Sequence, residues 1–121
     1  MTNNQWRDLN KAEKFILEKM FETPFPGRDE LREQIVSCKV RDVFDALNKF
    51  WGIEFLVKSS ALAKVKMRVP IEAYSTKNGP QEILLHVIDG KIKELELVQY
   101  GDDSPESFPD AKDIKVRVSY M

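Results

Sequence analysis

The sequence predicts an α+β fold, with two N-terminal helices packed on a five- or six-stranded, mainly antiparallel, twisted sheet. Three observations carry this. A 3.6-residue apolar stripe is confined to the N-terminal third, the apolar period switches to two from Trp51 onward, and the dipeptides Asn78-Gly79 and Asp89-Gly90 separate alternating segments as hairpin turns do. A chain of 121 residues fits a single domain over residues 1–121 and buries enough of its surface to hold a core without disulfides or metals.

The first helix is read from LNKAEKFILEKMFE, where Leu9, Ala12, Ile16, Leu17, Met20 and Phe21 share one side and Lys11, Lys14 and Glu18 the other. Asn10 is placed to cap it, and Glu13 three residues later completes a capping box. Thr23-Pro24-Phe25-Pro26-Gly27 stops it, because proline cannot donate and pushes its predecessor into extended geometry. A second, shorter helix follows, with Asp29 and Glu30 in its first turn and Leu31, Ile35 and Cys38 at helical spacing, which makes Cys38 a core thiol. Residues 39–49 carry conflicting signals. Val40, Val43, Phe44, Leu47 and Trp51 fit a helical stripe, whereas the flanking elements fit a strand and loop.

Beyond that point the strands follow. Trp51, Ile53, Phe55 and Val57 alternate with Gly52, Glu54, Leu56 and Lys58, giving one strongly apolar face, and Val65, Met67, Val69, Ile71 and Ala73 alternate with Lys64, Lys66, Arg68, Pro70 and Glu72, one face apolar and one wet. Pro70 lacks a ladder donor, which places it at an edge or a bulge. Residues 81–88 are apolar at both parities and read as a central strand covered on both faces. Residues 91–99 form its hairpin partner, with Lys93, Leu95, Leu97 and Gln99 opposed to Ile92, Glu94, Glu96 and Val98. After an acidic connection over residues 101–113, Ile114, Val116, Val118 and Tyr120 alternate in a last strand.

Nineteen Lys and Arg against twenty Asp and Glu leave a net charge of −1. That balance disfavours a nucleic-acid partner or an anionic membrane, both of which select strongly basic chains. No apolar run approaches the length of a membrane span. The single cysteine and the absence of an apolar leader in MTNNQWRDLN lead us to expect a cytoplasmic protein.

No motif requires a particular chemistry. His86, the single histidine, lies within LLHVI and reads as a hydrogen-bonded core imidazole in preference to a catalytic base. Cys38 and His86 have no companions at ligand spacing and glycine-rich phosphate loops are lacking, so neither metal nor cofactor is expected and the chain does not read as an enzyme. Lys64, Lys66 and Arg68, with Lys58 and Tyr74 nearby, have the layout of a phosphate-tracking strand, although a solvated face explains them more simply. The acidic connection is the better partner-binding candidate. Asp102, Asp103, Glu106, Asp110 and Asp113 outweigh Lys112, and Tyr100 and Phe108 supply aromatic anchors within the charged rim.

The blocks FPGRDELREQ at residues 25–34, RVPIEA at 68–73 and LLHVIDGKIKELEL at 84–97 resemble an uncharacterised family of small bacterial proteins with the same order of segments, from which the chain departs around residues 45–50. The resemblance covers most of the chain and implies a bacterial α+β domain without assigning a catalytic residue. In kind, a small near-neutral domain with an acidic loop is similar to the immunity proteins that accompany secreted toxins, including those of contact-dependent growth inhibition. That likeness implies a non-catalytic protein that blocks the basic active site of a toxin domain, since an acidic surface with aromatic anchors complements a phosphate-binding cleft. The alternative is a small-ligand binder whose sheet and first helix enclose a pocket lined by Trp51, Phe55 and Met67.

Overall fold

A computed structural model describes residues 5–45, 47, 50–77, 79–100 and 107–119. The order of elements is α1 (Lys11–Phe21), α2 (Arg28–Gln34), β1 (Lys39–Asp45), β2 (Phe50–Leu56), β3 (Ile71–Ser75), β4 (Gln81–Ile88), β5 (Lys91–Gln99), a 3-10 helix (Ala111–Asp113) and β6 (Lys115–Val118). The six strands form one sheet in the order β1-β2-β5-β4-β3-β6, with antiparallel neighbours throughout. The α+β class, the two helices and the antiparallel sheet are thus as the sequence predicts, with six strands.

Helix α1 starts as expected. The Asn10 side chain accepts from the Glu13 N–H at 2.8 Å and the Glu13 carboxylate accepts from the Asn10 N–H at 3.0 Å. The buried face differs at one position, because Glu13 is buried and Ala12 is exposed. Burying that carboxylate is tolerable because Arg7 grips both its oxygens, at 2.9 and 2.8 Å, while also reaching Asp42 at 2.7 Å. These anions hold the Arg7 guanidinium more firmly protonated than usual, the hydrogen bond to Glu13 contributing most. At the other end of α1, the Phe21 carbonyl accepts from Arg28 at 3.0 Å and also from Arg32, so α2 satisfies an orphan acceptor of α1.

Ile16, Leu17, Met20, Phe21 and Leu31 from the helices pack with Val40, Ile53, Phe55, Ile71, Ile83, Leu85, Leu95 and Leu97 from the sheet in one apolar cluster. Gln34 fastens this layer to the central hairpin. Its side chain is fully buried, donates to the carbonyls of Ala61 and Gly90 at 2.7 Å each, and accepts from the Ile92 N–H at 2.9 Å. Cys38 sits in the same core, and desolvation pushes its thiol up to about 11, so the sulfur is neutral near pH 7.

The ambiguous segment 39–45 is a strand paired with β2 from Lys39↔Leu56 to Asp45↔Phe50. Its helical stripe loses because Val40 is fully buried against the helices while hydrogen bonds tie the strand to β2 on one edge and to Arg7 on the other. The long strand expected over 64–73 is corrected, since only Ile71–Ser75 is a strand. Pro70 cannot donate and marks its start, while the Arg68 carbonyl accepts from the Val87 N–H outside the ladder. Strand β4 is central as read, yet only one face is buried. Gln81, Ile83, Leu85 and Val87 are covered, Glu82, Leu84 and His86 are half-buried, and Ile88 is exposed. Asp89 and Gly90 turn the chain at φ 54° and 80°, the positive pair that a two-residue hairpin needs. A bulge opposite His86 and Val87 then breaks the alternation of β5, bringing Ile92 onto the face of Leu95 and Leu97. Tyr120, expected in the last strand, lies outside the described residues.

Strand β2 meets β5 along the short register Gly52↔Glu96, Ile53↔Leu95 and Glu54↔Glu94. A Cβ on Gly52 would come 2.2 Å from the Leu95 carbonyl oxygen, so this crossing needs a residue without a side chain. Gly52→Ala should therefore destabilise the protein by about 2–4 kcal/mol, read by urea unfolding, and an unchanged midpoint would contradict the crossing. Gln34→Ala takes the donor from the Ala61 carbonyl and the acceptor from the Ile92 N–H, while the Gly90 carbonyl keeps the Ala63 N–H at 3.0 Å, and should cost roughly 2 kcal/mol, with faster amide exchange at Ile92 as its local signature.

Candidate functional site

With the helices on one side, the other side of the sheet carries Arg41, Gly52, Glu54, Glu72, Tyr74, Glu82, Leu84, His86, Glu94 and Glu96, fixed there by strand parity. Its charges answer one another. Glu54 and Glu94 are directly opposed, a like-charge pair that costs stability unless compensated. Arg41 at 3.1 Å and Lys93 at 3.5 Å both reach Glu54. The Arg41 guanidinium also lies over the Trp6 ring, 4.6 Å from its centroid.

His86 belongs to this face, which corrects its placement in the core. It is hydrogen-bonded as expected, with Arg68 Nε donating to its Nδ1 at 3.0 Å and Glu96 Oε1 lying 2.7 Å from its Nε2. A guanidinium N–H can only donate, so Nδ1 accepts and the ring hydrogen of neutral His86 sits on Nε2, donating to Glu96. Both ring nitrogens are engaged, which leaves neither available to a substrate proton in this arrangement. Among the described residues, no group of three or more histidine, cysteine or acidic side chains is placed to hold a metal ion.

The end of the face near the acidic connection has the composition of a protein-recognition patch. Tyr74 and Tyr100 are exposed and line, with Glu82, Pro80 and Arg117, a shallow depression of about 230 Å³. The Tyr100 hydroxyl donates to Glu82, which raises the phenol above its ordinary range chiefly through that bond to an anion. Arg117 bonds Glu72 at 2.6 and 2.7 Å and stands 5.8 Å from the Tyr74 ring centroid. The two rings are thus held in place by charged partners on neighbouring strands, which lowers the entropy lost when a partner covers them.

The expected partner-binding residues separate. Tyr100 joins this patch. Phe108 packs edge-on against Trp51, ring centroids 4.9 Å apart, beside the core. Asp110 caps the 3-10 helix by accepting from the Lys112 N–H at 3.3 Å, and Asp113 pairs with Lys77 at 3.2 Å. Asp102, Asp103 and Glu106 lie outside the described residues. Sequence reasoning missed Glu82 and Arg117, although both occupy wet parities beside Tyr74. The phosphate-tracking layout does not form, since Lys64, Lys66 and Arg68 are outside any strand and Arg68 is committed to His86. The three residues expected to line one pocket, Trp51, Phe55 and Met67, do not come together around one. Phe55 is buried in the core and Trp51 lies against Phe108, while Met67 lines a separate groove beside Phe25 and Val118.

Comparison with models of known families, with curated proteins and with solved structures returns no match. No helix among the described residues is long and apolar enough to cross a membrane.

The Arg68–His86–Glu96 chain predicts that the neutral imidazole of His86 is the Nε2–H tautomer, read from the ring ¹⁵N shifts and cross-peak pattern in long-range ¹H–¹⁵N correlation spectra. A dominant Nδ1–H form would contradict this hydrogen-bond order.

Proposed function

We propose that this protein is a non-catalytic inhibitor of the immunity type. In this reading it covers the basic active site of a cognate bacterial toxin domain with the Tyr74–Tyr100 end of its uncovered sheet face. The observation that carries the reading is the patch itself, two exposed tyrosines steadied by Glu82 and Arg117 and continued in the chain by the acidic connection. Exposed, pre-positioned aromatic rings are how interfaces concentrate affinity, and acids around them steer a cationic partner. The double engagement of His86 supports a role without chemistry. The resemblance to small bacterial proteins and the likeness in kind to immunity proteins fit a cytoplasmic protein made beside its toxin.

The test is co-expression with the toxin-like protein encoded by the neighbouring reading frame, with growth rescue and complex formation as readouts. Tyr100→Ala should weaken the complex by roughly 2 kcal/mol, while charge reversal at Asp102, Asp103 and Glu106 should slow association and flatten its salt dependence. Tyr100 is half-exposed, so its truncation should leave thermal stability within about 0.5 kcal/mol. A neighbouring toxin that forms no complex, or binding indifferent to both variants, would refute the assignment.

A further inference from the structure

At the opposite end of β3 and β6 from the tyrosines, the chain leaves an apolar groove of about 350 Å³, near the lower end of the range in which small ligands bind. Phe25 and Pro26 from the α1–α2 connection form one wall, Val65, Met67 and Pro70 another, and Val118 a third. The walls are built in. The Ser119 N–H bonds the Pro70 carbonyl at 2.9 Å and the Arg28 N–H bonds that of Phe25 at 3.1 Å. Phe25 stacks on Phe21 with centroids 6.3 Å apart. Gly27 lets the turn press so closely on residues 63–65 that a Cβ there would sit 2.8 Å from Val65 Cγ1. The groove therefore exists before any ligand arrives.

Its charge has one sign. Lys64 and Lys66 line it, no acid does, and both lysines are exposed without an ion-pair partner among the described residues. Arg7, Arg41 and Arg117 are answered by carboxylates, whereas these two ammonium groups, like those of Lys58, Lys91 and Lys115, are not among the described residues, and here they stand beside an apolar trough. An apolar trough with two unanswered ammonium groups complements a ligand with an apolar body and a single anionic head. We propose that this groove is a binding site for a small amphipathic carboxylate, its hydrocarbon against Phe25, Val65, Met67 and Val118 and its carboxylate at Lys64 and Lys66. The site is independent of the tyrosine patch, so either assignment can fail alone.

The probe is decanoate below its micelle concentration, titrated into the full chain and followed by amide chemical shifts, with decanol and decyltrimethylammonium as matched tails. Saturable decanoate shifts at Val65, Met67 and Ser119 are expected, with decanol weaker and the cation weakest. The double variant Lys64→Glu/Lys66→Glu, at exposed positions that leave the core intact, should lose at least about tenfold in affinity. Met67→Trp, which fills the trough, should abolish the shifts while the rest of the spectrum is retained. Absence of saturation, equal binding of the cationic amphiphile, shifts centred on Tyr74 and Tyr100, or a double variant that binds as the parent does would each overturn the proposal.

Discussion

Strands β4 and β5 lie at the centre of the sheet, and every lateral strand inherits the register that their two-residue turn sets. Asp89 and Gly90 supply the positive φ pair, and Gln34 then locks the arrangement from the helical side by bonding the Gly90 carbonyl and the Ile92 N–H. A slip of one residue would exchange Leu95 and Leu97 for Glu94 and Glu96 in the core. The price of carboxylates facing Ile16 and Met20 makes that register far higher in energy than the native one. The bulge at Lys93 belongs to the same constraint, because it lets Ile92 and Leu95, an odd number of residues apart, face the core together.

From that register the two faces acquire different tasks. The apolar face is consumed by α1 and α2, whose attachment rests on α2 arginines reaching the end of α1 and on Arg7 neutralising the buried Glu13. Glu13 serves twice, as the capping-box partner of Asn10 and as the anion that draws the N-terminal segment onto the β1 edge. The Arg7–Val40 hydrogen bonds occupy part of that edge, an arrangement that discourages edge-to-edge association. The second face is held by cross-strand and diagonal charge pairs with Tyr74 and Tyr100 at one end, which leaves recognition to a surface already organised by its own electrostatics.

Much of the fold was legible in the residues because local chemistry and global packing agree there. The capping box at Asn10 and Glu13, the Pro-Gly stop after α1 and the Asp89-Gly90 turn each use residues that few other conformations favour. Where the reading failed or stayed open, two energies competed within the same pattern. Residues 64–70 alternate as a strand does, yet Val65 is packed against the Gly27 turn and Pro70 has no N–H to give, so the alternation is satisfied by loop packing. Residues 39–45 carry a helical stripe that sheet pairing and the burial of Val40 override. Of the candidate partner residues, Tyr100 could be recognised as an exposed anchor. Phe108 could not be told from one, because nothing local to it reveals Trp51, which approaches from a distant strand.

The sequence by itself determined the two helices, the strands on either side of the Asp89-Gly90 turn, that turn and the near-neutral net charge, since these depend on periodicity, φ preference and composition. Only the tertiary structure decided which strand lies beside which, that His86 faces away from the helical core between Arg68 and Glu96, and that two lysines border an apolar groove. Those outcomes depend on contacts between residues far apart in the chain, and no pattern along one segment records what another segment will bring to it.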